Sequence, residues 1–175
     1  DLSRRLISSR DCRVRRFYHY AGDHGRRCCV ANIPITYPPE PVPGVLVTGM
    51  LTPEGAEEFT HPASLSAELL DLFPGLSFGA RLAFSVDRKH EYLDHLLRTT
   101  EQHGRLALHL FRNVESDLFL FVFMQSDHAS HKLWGPFDGE ARSHGTADGP
   151  FYEGVPRVLR KIDEQMEALL AGAGE

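Results

Sequence analysis

Residues 117–134 read DLFLFVFMQSDHASHKLW, and the join inside this stretch bears on both the fold and the place to look for function. Seven consecutive apolar side chains, Leu118 to Met124, run directly into Asp127, His128 and His131. A continuous apolar run rich in Phe and Val, with no polar alternation, predicts a strand over 117–124 buried on both faces of a sheet. A sheet covered on both faces carries helices on both, so the run argues an α/β architecture. In open sheets of that class, functional groups collect just beyond the carboxyl ends of the strands, where loops converge over a rigid support. Asp127 falls there. If the chain turns helical after Ser126, Asp127 and His131 stand four residues apart on one face, within reach of a single cation. A carboxylate and an imidazole suit zinc, and also manganese or iron. The same spacing fits a helix N-cap followed by a surface histidine, so spacing alone leaves both readings open. His128 is expected to point away from that pair, and Trp134 to join the local core.

The rest of the chain supports the same architecture. A short helix is expected within 13–24, carrying Phe17, Tyr18 and Tyr20, followed by a buried strand over 27–33. The segment PITYPPEPVPG, 34–44, holds five prolines and reads as a stiff loop, since proline supports neither helix interior nor central strand. VLVTGM at 45–50 reads as a short strand or extended segment and LTPEGAEEFTHPASL at 51–65 as surface loop. A brief helix starts at Ser64 or Ser66 and stops before Pro74. A long amphipathic helix is expected from Asp87 to about Phe111, with Gly104 a weak point inside it. A Gly-rich polar loop spans GPFDGEARSHGTADGP, 135–150, and an amphipathic helix closes the chain, ending near Ala171. His90, His95, His103 and His109 lie along the long helix at spacings that do not converge, and read as solvated or packed side chains. His144 lies in the Gly-rich loop.

Composition bounds what this fold can do. With 175 residues, 42% hydrophobic and 25% charged, the chain suits one globular domain with a core rather than a disordered or membrane-embedded one. The formal charge of −5 is mild. The arginine-rich N-terminal region comes with no aromatic stacking platform or nucleic-acid motif, so it reads as a solvated face and not as a nucleic-acid surface. No apolar stretch approaches the roughly 20 residues of a membrane-spanning helix, and DLSRRLISSRD has no signal-peptide core. Cys12, Cys28 and Cys29 form neither a disulfide framework nor a zinc knuckle, which favours a reducing, cytoplasmic setting. The sequence opens on Asp1 and is expected to be part of a longer protein. Nothing in it gives an oligomeric state.

DLFLFVFMQSDHASHKLW resembles the strand-and-ligand segment of the type I phosphodiesterase/nucleotide pyrophosphatase family of the alkaline phosphatase superfamily, where an apolar strand leads into T-D-R-x-x-H-x-x-W. SRD at 9–11, GRRCCVANIPITYPPEPVPGVLVTGMLTP at 25–53 and YEGVPRVLRKIDEQMEALL at 152–170 resemble successive segments of the same family, in order over nearly the whole chain. The resemblance implies a three-layer α/β/α fold with a mostly parallel sheet, of which 1–175 is an incomplete, central portion. It implies that Asp127 and His131 bind one of two catalytic divalent metals, zinc in the first place and manganese as an option. Ser126 stands where the family has Thr, and His128 where it has Arg, so a substrate contact through His128 is in doubt.

The family's nucleophilic Thr or Ser and its remaining metal ligands have no counterpart in 1–175. The parent is therefore expected to hydrolyse phosphodiester or pyrophosphate bonds of nucleotides or related phosphate esters through a covalent phospho-enzyme. The chain alone is expected to be inactive. Asn32, Thr36 and Tyr37, following a strand end, are candidate substrate contacts, against the alternative of a rigid connector packed on the sheet. Asp163 reads as a structural hydrogen-bond partner. Two other readings stay open: a non-catalytic binding or interaction domain, indifferent to Asp127, and a sibling chemistry of the superfamily, such as a sulfatase or phosphomutase.

Overall fold

The computed structural model describes residues 7–79, 82–134 and 154–172. It falls into two compact units, Asp1–Gly79 with His109–Val122, and Ala80–Leu108 with Phe123–Glu175. The expected Gly-rich loop at 135–150, with His144, lies outside the described residues.

The first unit is an α/β unit built on a four-stranded mixed sheet. Its strands are β1 (Cys28–Ile33), β2 (Gly44–Thr48), β3 (Thr60–His61) and β4 (Leu118–Phe121), in the order β3-β2-β1-β4. β1 pairs parallel with β2 and with β4, placing Val30 opposite Leu46 and Leu120; β3 pairs antiparallel with β2. Period-two alternation sends neighbouring side chains to opposite faces. One face, Cys28, Val30, Leu46, Leu118 and Leu120, packs on Tyr18 and Ala21 of α1 (Phe17–Asp23). On the other, Phe119 meets Phe111 edge to face at 5.2 Å. Phe111 belongs to the last turn of α3 (Lys89–Asn113). Helices therefore cover both faces, as the apolar run predicts.

The run itself is not the most buried strand. Every residue of β4 is half-buried, whereas β1 is buried from Cys28 to Asn32. The reason is position: among the described residues β4 pairs only with β1 and forms a sheet edge. β3 was hidden in the stretch read as surface loop, because two residues ahead of a proline carry no periodicity. Pairing with Leu46 and Val47 makes the strand, and Phe59 beside it is buried. α2 (Ser64–Leu72) starts and stops as the sequence predicts.

The proline segment is held by polar contacts rather than by regular structure. The Arg16 guanidinium bonds Glu40 and donates to the carbonyls of Ser9 at 3.2 Å and Ile35 at 3.3 Å. The Tyr18 hydroxyl donates to Glu40 Oε1 at 2.9 Å, and Ser9 N–H donates to the Tyr37 carbonyl at 2.8 Å. Burial, and then the bond to Glu40, pushes the Tyr18 phenol well above its ordinary range.

The second unit is helical. Tyr92, Leu93 and Leu96 of α3, Ala129 and Leu133 of α4 (Gln125–Leu133), and Val155, Val158 and Ile162 of α5 (Gly154–Gly172) form its core. Gly104 of α3 faces Gln165 of α5: a Cβ there would lie 2.1 Å from Gln165 Oε1. The atoms met are the end of a flexible side chain, which can move aside, so the contact does not by itself demand glycine. Trp134, expected in the core, is 52% exposed, because α4 buries only the stripe Gln125, Ala129, Leu133 and position 134 falls off it.

Candidate metal-binding site

The helix expected after the apolar run is α4, beginning four residues beyond the end of β4. Its N-cap is Met124, which makes no side-chain capping bond, so Asp127 is not the cap. It stands in the first turn, where a carboxylate is favoured by the positive end of the helix dipole. Burial of Gln125, Ala129 and Leu133, four residues apart, turns the opposite side of α4 to solvent. That side carries Asp127 and His131, with side chains 51% and 75% exposed.

The pair converges as their spacing predicts. Asp127 Oδ1 and His131 Nε2 are 3.3 Å apart. Two donors each about 2.1 Å from one ion and separated by a tetrahedral angle stand roughly 3.4 Å apart; here the two atoms contact each other, and a cation would have to replace that contact. Oxygen and nitrogen donors of this kind take zinc or manganese. Among the described residues no group of three or more His, Cys, Asp or Glu could hold a metal.

His128, between the two in sequence, is half-buried. Burial disfavours its charged form and pushes its pKa below the usual value, with the negative charge of Asp127 opposing that shift. Tyr92 lies under the same helix, 2% exposed; burial raises its phenol, and Asp127 adds to the effect. Ser126 donates from Oγ to the Phe123 carbonyl at 2.9 Å, tying off the turn before Asp127.

The other candidates lie in the first unit and have structural bonds. Asn32 is fully buried with φ of 57°, at the point where the β1/β2 register shifts between Ala31 and Ile33. Left-handed backbone at a bulge suits Asn better than most residues. Its Nδ2 donates to the Val122 carbonyl at 2.6 Å, fixing the end of β4 against the end of β1. Thr36, also fully buried, donates to the Ile33 carbonyl at 2.7 Å and accepts from Gly49 N–H at 3.0 Å. Both side chains brace strand ends. Tyr37 is half-buried beside them in sequence.

A buried polar pair joins α3 and α4: His103, read from the sequence as a solvated or packed side chain, is packed, and its partner Gln125 was not singled out. His103 of α3 is 1% exposed and Gln125 is 3% exposed; Gln125 Nε2 donates to His103 Nδ1 at 2.9 Å. Gln125 Oε1 is buried with no hydrogen-bond partner. Leaving such an acceptor unsatisfied costs about 1–3 kcal/mol. The signal was present: 103 lies seven residues after Leu96 on the apolar stripe of α3, and 125 four before Ala129. A histidine and a glutamine on apolar stripes are buried polar groups that require partners.

No protein-family model, no curated protein and no solved structure matches the chain. No helix among the described residues is long and apolar enough to cross a membrane.

Proposed function

We propose that Asp127 and His131 are two ligands of one catalytic cation in a two-metal hydrolase that cleaves phosphodiester or pyrophosphate bonds of nucleotides or related phosphate esters. In this reading the Thr or Ser nucleophile and the other ligands are supplied outside residues 1–175, the fold is of the alkaline phosphatase type, and these residues alone do not turn over substrate. The observation that carries it is the 3.3 Å approach of Asp127 Oδ1 to His131 Nε2 on the solvent side of α4. The motif resemblance of 117–134 supports it.

When bound, zinc or manganese supplies Lewis acidity, favouring the ionised form of a hydroxyl nucleophile and stabilising charge on a phosphate oxygen. Asp127 brings one negative charge, and His131 must present a neutral imidazole to ligate. Ala129 and Leu133 hold the opposite side of the helix in the core, so the two donors keep their spacing as the local charge changes.

Zinc titration of the chain, read by the imidazole nitrogen signals of His131 in NMR, tests the assignment. Saturable perturbation of His131 is expected, lost in Asp127→Ala and His131→Ala variants that keep the wild-type melting temperature. In the longer protein the same variants should abolish most hydrolysis. Unchanged phosphodiesterase turnover in Asp127→Ala would mean that the ligand assignment is wrong.

A further inference from the structure

Helix α5 carries two apolar stripes, and the core takes only one of them. Val155, Val158 and Ile162 pack with α3 and α4. Leu159, Met166 and Leu170 are 48%, 49% and 72% exposed. Their spacing, seven residues and then four, puts them on one line along the helix. A single exposed apolar side chain is ordinary; three on one face mark a surface that meets something.

The charges beside the stripe indicate what it meets. Arg157, Arg160 and Lys161 stand in the first half of the helix, and Asp163, Glu164 and Glu167 in the second. This order runs against the helix dipole, which favours carboxylates at the start and cations at the end; the first turn holds no acidic residue and the last no basic one. A helix with a basic first half and an acidic second half is its own complement when a copy runs antiparallel to it. Two-fold symmetry then repeats every contact.

The stripe supplies the register. With Leu159 of one copy facing Met166 of the other, symmetry sets Met166 against Leu159 in return. Arg160 then falls opposite position 165 of the second copy, between Asp163 and Glu167 there, which stand one turn apart. Arg160, Asp163 and Glu167 are all exposed and lie along the same edge of the stripe. The two Asp163 carboxylates approach each other near the axis, and the Arg160 that each one meets offsets their repulsion.

We propose that α5 is a self-association surface: two copies of this chain pair antiparallel through Leu159, Met166 and Leu170, with Arg160 of each set between Asp163 and Glu167 of the other. Nothing in this pairing depends on the metal reading of α4.

Sedimentation equilibrium of the 175-residue chain tests it, with thermal melting recorded for every variant. The stripe is short, so a dimer with a dissociation constant on the order of 10 μM is expected, measurable with chain at up to about 500 μM. Leu159→Glu places a charge in the apolar contact and should weaken the dimer at least about tenfold, while the half-exposed position leaves the melting of the monomer unchanged. Arg160→Glu and Glu167→Arg, each alone, set like charges against one another and should weaken it about tenfold. An equimolar mixture of these two variants should recover wild-type affinity, because each supplies the charge that the other lacks. A monomer at every concentration overturns the proposal, and so does a dimer indifferent to Leu159→Glu. Should Leu159→Glu fail to fold, the mixture decides: recovery supports the antiparallel pairing, and no recovery refutes it.

Discussion

Replacing Gly49 with alanine tests whether the carboxyl ends of the parallel strands are locked together as tightly as the structure places them. A Cβ at 49 would lie 2.4 Å from the Asn32 carbonyl carbon, 2.4 Å from the Ile33 oxygen and 2.7 Å from the Asn32 oxygen. These are backbone atoms in the bulge of β1, which cannot swing aside as a side chain can. Reaching ordinary contact, 3.4 Å or more, requires β1 and β2 to part by about 1 Å at this point. Such a shift breaks the 3.0 Å bond from Gly49 N–H to Thr36 Oγ1, worth about 1 kcal/mol. Overpacking adds about 1–3 kcal/mol. The total is about 2–4 kcal/mol, or about 4–16 °C of melting temperature for a chain of this size. Urea unfolding and thermal melting followed by circular dichroism measure it. Gly55→Ala is the control: its φ is +74° with nothing within 4 Å, so it meets only the backbone penalty of about 1–2 kcal/mol. A Gly49→Ala variant within about 0.5 kcal/mol of wild type would refute the reasoning. In combination with Thr36→Val, which removes the bridge itself, the loss should fall short of the sum.

Three further outcomes follow from burial and charge. Phe121 lies in the half-buried edge strand β4, so Phe121→Ala should cost less than about 3 kcal/mol in urea unfolding, the lower end for a buried phenylalanine and below what the sequence alone suggests. Burial holds the folded-state pKa of His128 below its unfolded value, with Asp127 opposing, so the unfolded chain binds more protons and stability falls with acidity. That contribution is fully present above about pH 6.5 and is lost as pH falls below it; the difference between wild type and His128→Asn should fade between pH 7 and 5, and a constant difference refutes the assignment. Burial pushes the Cys29 thiol up to about 12 and raises that of Cys28, while Cys12 is exposed, so a thiol reagent at pH 8 should titrate about one group in the native chain and all three after unfolding.

Much of the fold was legible because its helices and longer strands carry unambiguous periodicity. Residues 28–33, 44–48, 64–72 and 89–113 form where hydrophobic pattern, proline and glycine predict them. What was not legible depends on who pairs with whom. Leu118–Phe121 has the composition of a central strand and sits at the edge, since an apolar run states that a strand is buried but not which neighbours bury it. β3 is two residues long and exists only through Leu46 and Val47. Gly104 has an intrinsic helix penalty, and its neighbour Gln165 comes from 61 residues further along the chain, which no local pattern announces.

The site divides along the same line. Asp127 and His131 were readable because a four-residue spacing on a helix is a local fact, and local geometry brings them within 3.3 Å. Asn32 and Thr36 looked like side chains reaching a rim; their bonds go instead to Val122, Ile33 and Gly49, partners up to 90 residues away in the chain. His103 and Gln125, 22 residues apart, were invisible as a pair for the same reason. A polar residue on an apolar stripe announces that it needs a partner and gives no hint of which. Long-range hydrogen bonds therefore decide whether a polar side chain near a strand end is available to a ligand. By that criterion the availability passes from the Asn32 amide nitrogen and the Thr36 hydroxyl, which are tied into strand ends, to the solvent-facing side of α4. There Asp127 Oδ1 and His131 Nε2 stand 3.3 Å apart with both side chains more than half exposed.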